Sequence, residues 1–252
     1  MCYDDKAQPP LPPGASGSAQ GEELVLEAAD GNKFLAFAAH PSKQGKAAVL
    51  IYPDVRGLHN FYKELALRFG EIGITALAID YFGRTAGLTS RDESFEFMPH
   101  VQQLLIDNFF QDVEAGLDYL RQQGDFSSSV FVVGFCMGGS LTLVSGTNKE
   151  FGFAGLIPFY AGLTRNFGGR GTALEQAGEV SYPVLGLFGG NDPGIPVNDV
   201  KALEAKLIAA EVETNIKIYE GAPHSFFDRR YEEFADASAD AWNQILSFIS
   251  AH

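Results

Sequence analysis

The chain has 252 residues, 46% of them hydrophobic and 20% charged, enough apolar material to bury one sizeable core and to exclude wholesale disorder. Its formal net charge of −14 would repel a phosphate backbone, and no cluster of lysine or arginine offsets it, which excludes nucleic acid as a partner. No apolar run approaches the ~18 residues of a spanning helix, and no charged-then-apolar leader opens the chain, so a soluble, cytoplasmic protein with no membrane attachment is expected.

Residues 1–21 are rich in Pro, Gly, Ser and Ala with almost no periodic apolar signal, and they read as an extended arm free to wrap the surface. Residues 22–252 read as one domain. It opens with two strand-like runs on either side of Asp30-Gly31, the signature of an antiparallel hairpin. Short apolar runs follow at 47–52 (AAVLIY), 74–80 (ITALAID), 130–134 (VFVVG), 153–159 (FAGLIPF) and 183–188 (PVLGLF), with a further strand at 214–219; such runs fill buried parallel strands. Apolar residues at spacings of three and four predict helices over 61–72, about 100–123, 137–144, 197–210 and 232–249. A hairpin followed by repeated strand–helix units implies an α/β fold: a mostly parallel, twisted sheet with helices on both faces and its active site at the carboxyl ends of the strands.

One of those strand ends carries the sharpest signal. The segment VFVVGFCMGGSLTL runs an apolar strand through Gly134-Phe135-Cys136-Met137-Gly138-Gly139 into a helix. Gly-x-Cys-x-Gly at such a junction is the pattern of a nucleophile elbow, whose strained central residue projects its side chain from the sheet edge between small neighbours. The adjoining helix N-terminus favours thiolate over thiol. The competing reading of Cys136 is a small buried filler. With Cys2 as the only other cysteine, neither a disulfide framework nor zinc-ligand spacing is present, so no metal and no cofactor are expected.

In the α/β-hydrolase fold the acid and then the base follow the nucleophile along the chain. Asp192, in PVLGLFGGNDPGIP, sits where a later strand ends, and His224, in IKIYEGAPHSFFD, follows the next one. Asp before Pro is also ordinary turn chemistry, and only order and position favour catalysis. Of the other four histidines, His40, His100 and His252 lie in unremarkable settings. His59 follows the first parallel strand and is a possible pocket residue, although it precedes the nucleophile.

These residues resemble the dienelactone hydrolase family from about residue 23 to the C-terminus: Gly134 to Gly139 look like its cysteine elbow, Gly190-Asn191-Asp192 like its acid loop and His224-Ser225-Phe226 like its histidine loop. The resemblance implies the α/β-hydrolase fold and a Cys136–His224–Asp192 triad, with the backbone amides of Val55 and Met137 as the oxyanion hole. It also implies a carboxylate in contact with the resting thiol, here Asp54, one methylene shorter than the family's glutamate. Two arginines clamp the substrate carboxylate in the dienelactone enzymes; the resemblance puts Arg84 at the first position and Asp228 at the second, with Arg229 and Arg230 next in line, so that an adjacent arginine, Arg229 first, serves only if the loop is shifted.

A thiolate is itself a good leaving group, so acyl transfer to sulfur goes forward only when the departing group leaves at least as well, as enol lactones, aryl esters and thioesters do. The expected activity is therefore hydrolysis of a small-molecule activated ester or lactone through an acyl-cysteine intermediate. A broad carboxylesterase or thioesterase on the same residues, and a non-catalytic binding or redox-sensing protein on a hydrolase scaffold, are the alternatives. Oligomeric state is not legible.

Overall fold

The computed structural model describes residues 6–124, 126 and 129–252. Its strands are β1 (Ala19–Glu27), β2 (Lys33–Pro41), β3 (Ala48–Tyr52), β4 (Thr75–Ile79), β5 (Val130–Phe135), β6 (Gly155–Phe159), β7 (Val184–Gly189) and β8 (Thr214–Tyr219). They form one sheet in the order β1-β2-β4-β3-β5-β6-β7-β8. β1–β2 and β2–β4 are antiparallel, and every pair from β4 to β8 is parallel. Every residue of β3 to β7 is buried, which is why these segments read as unbroken apolar runs rather than alternating ones. The outer strand β1 instead exposes Glu22 and Glu23, charges that discourage edge-to-edge pairing.

The helices are α1 (Asn60–Glu71), α2 (Gly83–Ala86), α3 (Met98–Val101), α4 (Ile106–Gln123), α5 (Met137–Ser145), α6 (Ala173–Gln176), α7 (Val197–Ala209) and α8 (Ala235–Ala251). The single helix expected over 100–123 is broken. Leu105 adopts extended backbone (φ −124°, ψ 128°), and the Ile106 amide donates to the carbonyl of Gly168 (3.1 Å). A tertiary hydrogen bond thus accompanies the restart of the helix after Leu105, and residues 98–101 form the separate short helix α3.

Residues 7–12 lie on the body of the protein, with Ala7, Pro9, Pro10 and Pro12 buried. The Trp242 indole donates to the Pro10 carbonyl (3.0 Å) and packs edge-on against Phe69 (4.9 Å), so this segment is fastened to α1 and α8 together. β1 begins at Ala19, inside the stretch that composition assigns to the arm. Among the described residues no helix is long and apolar enough to cross a membrane.

Candidate active site

Cys136 sits between β5 and α5 with φ 56° and ψ −113°, a conformation an L-residue holds at a cost of about 1–3 kcal/mol and only where its surroundings enforce it. They do so here. A Cβ on Gly134 would collide with the Gly138 carbonyl and the Thr142 hydroxyl, and one on Gly138 with the carbonyls of Tyr52 and Pro53. Helix α5 therefore lies directly against β3 and β5, and the turn between them has no room to relax. The Cys136 amide donates to the Phe159 carbonyl (3.1 Å), tying the elbow to β6. The thiol is half-buried at the N-terminus of a nine-residue helix, where the positive dipole end stabilises a thiolate.

Two loops at the same end of the sheet bring a carboxylate and an imidazole together. Asp192, in the loop after β7, accepts from the Gly194 amide on Oδ1 (2.8 Å), while its Oδ2 lies 2.6 Å from Nδ1 of His224, in the loop after β8. The Asp192 side chain is 2% exposed and that of His224 28%, so the carboxylate is shut away and the imidazole reaches the surface. Backbone bonds from Gly190 to Tyr219 (2.8 Å) and from Asn191 to Ala222 (2.9 Å) stitch the loops to each other. A charge-assisted bond this short holds the proton on Nδ1 and leaves Nε2 as the basic nitrogen.

Behind the imidazole stands Tyr160, its ring 4.9 Å from that of His224 and its hydroxyl donating to Asp228 (3.1 Å). Burial, reinforced by the charge of Asp228, raises the Tyr160 pKa far above the ordinary phenol value. The tyrosine remains a neutral donor, and Asp228, itself buried, faces it.

Cys136, Asp192 and His224 share a cavity of about 330 Å³. Val55, Phe97, Met98, Phe167 and Ile195 give it an apolar wall, and Arg56 and Arg165 supply its cations. A larger depression of about 590 Å³ lies at the amino ends of β3 and β4, lined by Gly14, Lys46 and Leu246 among others, and contains none of the predicted site residues. An imidazole braced by a buried carboxylate, beside a thiol at a helix N-terminus, can move a proton between sulfur and a bound molecule. Met137 is the first residue of α5, where geometry denies its amide an intrahelical partner, and Val55 lines the same cavity.

The remaining predicted residues lie elsewhere. Arg84 is engaged by Asp30 (2.5 Å), Asp112 (2.9 Å) and the Asn108 carbonyl (3.1 Å), and it borders a different cavity, with Tyr81 and His100; two carboxylates already satisfy the guanidinium expected to meet substrate. Arg229 is exposed and does not line the Cys136 cavity, because its amide closes onto the Asp228 carboxylate at the start of a turn. Asp54, the carboxylate expected at the thiol, accepts on Oδ1 from the Arg56 amide (2.9 Å), and its Oδ2 lies 3.5 Å from His59 Nε2. His59 is buried, with both side chains of that pair only 1% exposed, and is no pocket residue of the Cys136 cavity.

Sequence reading passed over the two arginines that do line the cavity. Arg56 was within reach of it, two residues after Asp54 in the loop after β3. It is buried, donates to the Arg91 carbonyl (2.9 Å), and has a pKa pulled down by burial to about 10, against the opposing pull of Glu93 and Asp92; it stays charged at neutral pH. Arg165, in the loop after β6, is exposed and has no carboxylate partner among the described residues. The aromatic segments 81–97 and 159–167 contribute Phe97 and Phe167 to the wall.

Comparison with known proteins is consistent across sequence and structure. The model of the dienelactone hydrolase family matches residues 34–252. A carboxymethylenebutenolidase of Pseudomonas putida is 26% identical, the match covering 91% of this chain and 96% of that protein. A Saccharolobus solfataricus protein assigned as a carboxymethylenebutenolidase is also 26% identical, over 90% of this chain and 98% of its own. The crystal structure of a Klebsiella pneumoniae protein assigned as a dienelactone hydrolase superposes with a TM-score of 0.80 at 20% identity, covering 93% of this chain and all of that one (100%).

Proposed function

This chain belongs to the dienelactone hydrolase family and is a hydrolase of ester or lactone bonds, and from that premise we propose that it cleaves activated esters or lactones through an acyl-cysteine intermediate on a Cys136–His224–Asp192 triad. The observation that carries the reading is the 2.6 Å His224–Asp192 contact opening onto the same cavity as a strained cysteine at a helix N-terminus.

In the first half-reaction His224 Nε2 takes the thiol proton and Cys136 Sγ attacks the carbonyl carbon. The carbonyl oxygen becomes an oxyanion received by the amides of Met137 and Val55. Collapse expels the enolate or alkoxide, which takes the proton from the imidazolium, and leaves a thioester. In the second half His224 removes a proton from water, the hydroxide attacks the thioester, and the thiolate departs and is reprotonated. Asp192 remains a carboxylate throughout and steadies the imidazolium. Cys136 carries a thiol and not a disulfide, which suits a reducing compartment, the cytoplasm.

A cavity of about 330 Å³ suits a small substrate. Its apolar wall accepts a flat, unsaturated ring, and Arg56 with Arg165 favours a negative charge upon it. The second reading, a general esterase for neutral substrates, is favoured by the engagement of Arg84 with Asp30 and Asp112. The ratio of kcat/KM for an enol lactone bearing a free carboxylate to that for its methyl ester, with Cys136→Ala as blank, separates them. Preference for the acid supports the anionic class, preference for the ester supports the general esterase, and turnover by Cys136→Ala would overturn both.

A further inference from the structure

We infer that His59 is a positioning residue of this site, holding the Asp54 carboxylate so that the loop between β3 and α1 presents the Val55 amide to the cavity; the inference rests on the reading of Val55 as an oxyanion donor. The reasoning begins with the loop itself. Asp54 Oδ1 accepts from the Arg56 amide (2.9 Å), closing a side-chain turn around Val55, the residue between them. Fixing the carboxylate therefore fixes the peptide that carries the Val55 N–H.

One oxygen cannot lock the carboxylate's rotation. The second is faced by His59 Nε2 at 3.5 Å, with both side chains 1% exposed. A carboxylate buried this deeply needs a polar or cationic neighbour, and His59 stands on the side of Asp54 away from the Arg56 amide. From the backbone side, the Tyr81 hydroxyl sits against the carbonyls of Pro53 and Asp54, and the Leu58 amide donates to Asp80 Oδ1 (3.0 Å). These buried polar contacts act on residues 53–58 together with the loop's own bond from the Gly57 amide to the Asp54 carbonyl (3.1 Å), and His59, at ion-pair rather than hydrogen-bond distance, is the group that faces Asp54 Oδ2.

The position of His59 in its own helix points the same way. It is the N-cap of α1 (φ −106°, ψ 178°) and makes no side-chain cap, at a site where Ser, Thr, Asp or Asn would stabilise the helix more. Its ring turns from the helix end toward Asp54 and packs edge-on against Tyr62 (4.7 Å). The pair sits among the buried tyrosines behind the site, and the charge of Asp54 bears on Tyr62, Tyr81 and Tyr160.

The test uses the full-length protein with an aryl ester and, separately, iodoacetamide, which alkylates Cys136 without needing an oxyanion hole. Since a single oxyanion donor is worth about 10²–10³ in kcat, His59→Leu is expected to lower kcat by about 10–100-fold with KM changed less than about 3-fold, because the amide is displaced rather than removed. The alkylation rate should stay within about 2-fold of the parent, since the thiol and His224 are untouched. His59→Gln, whose amide nitrogen can take the place of Nε2 toward Asp54, should recover most of the kcat. An unchanged kcat in His59→Leu, parallel loss of kcat and alkylation, or a folded His59→Gln as poor as His59→Leu would each overturn the inference. Should His59→Leu fail to fold, Asp54→Asn carries the test, with a loss of about 3–10-fold in kcat and unchanged alkylation expected as a fraction of one donor's effect, and an unchanged kcat refuting it. Full ester turnover by Cys136→Ala would mark the triad, and not His59, as the part that fails.

Discussion

Two histidine–aspartate pairs stand at the same end of this sheet and differ in separation and in exposure. His224 and Asp192 are 2.6 Å apart, with the imidazole 28% exposed to a cavity it shares with a thiol. His59 and Asp54 are 3.5 Å apart with both partners 1% exposed. An imidazole that reaches the cavity of the thiol can exchange protons with a molecule bound there; His59, which does not line that cavity, is placed instead to hold its neighbours. Side-chain identity is the same in the two pairs, and in the account proposed here burial separates the pair that works on substrate from the pair that sets posture.

The comparison breaks most sharply at the open pair. His224→Ala should lower kcat/KM for an aryl ester by about 10³–10⁴-fold, and Asp192→Asn by a similar order through the wrong tautomer, as measured in steady-state assays of folded variants; a loss below about 10-fold would move the base elsewhere. At the sealed pair, the smaller kcat effect of His59→Leu is the counterpart. Near the cavity mouth, Arg165→Ala should lower kcat/KM for a carboxylate-bearing lactone by about 10-fold while leaving its methyl ester within about 2-fold, because an exposed charge contributes on the order of 1 kcal/mol. Equal effects on acid and ester would assign Arg165 a role in shape rather than charge.

Arg84 sharpens the contrast from outside the site. Its loss should leave ester kcat/KM within about 2-fold but lower stability by about 2 kcal/mol near pH 8, since Asp112 would be buried without its cation. Burial already raises the Asp112 pKa to about 6 in the folded protein, against the pull of Asn32 and Arg84, compared with the ordinary 3.8. A folded-state pKa above the unfolded one adds stability that is complete below about pH 4 and fades as pH rises through about 6. Removing Arg84 raises that pKa further, so Arg84→Met should unfold closest to the parent at acid pH and diverge from it at alkaline pH in thermal melts. Divergence in the opposite direction would contradict the pairing.

The residues proposed as the triad stand out in the sequence because the strands announce themselves as unbroken apolar runs and each candidate falls just past one of them. Chain order then separated His224 from His59 before any distance was known. What a side chain meets across the fold was not legible. Arg84 matches a family position in sequence, yet Asp30 and Asp112, brought from 54 and 28 residues away, satisfy it. Arg165 lines the cavity, and no local pattern in its loop after β6 marks it out. The break in the helix predicted over 100–123 is likewise accompanied by the bond to Gly168, whose approach no local periodicity encodes. Local pattern reports elements and their ends; the pairing of charges between distant loops is settled only by packing.

The most direct test of the triad is to mix the protein with an aryl ester whose acyl group deacylates slowly, quench in acid during turnover, and map the acyl mass by peptide digestion. The acyl group is predicted on the peptide containing Cys136, absent from Cys136→Ala, and appearing at least about 10³ times more slowly in His224→Ala. Turnover with Cys136 unmodified, or acyl mass on another residue, would contradict the account.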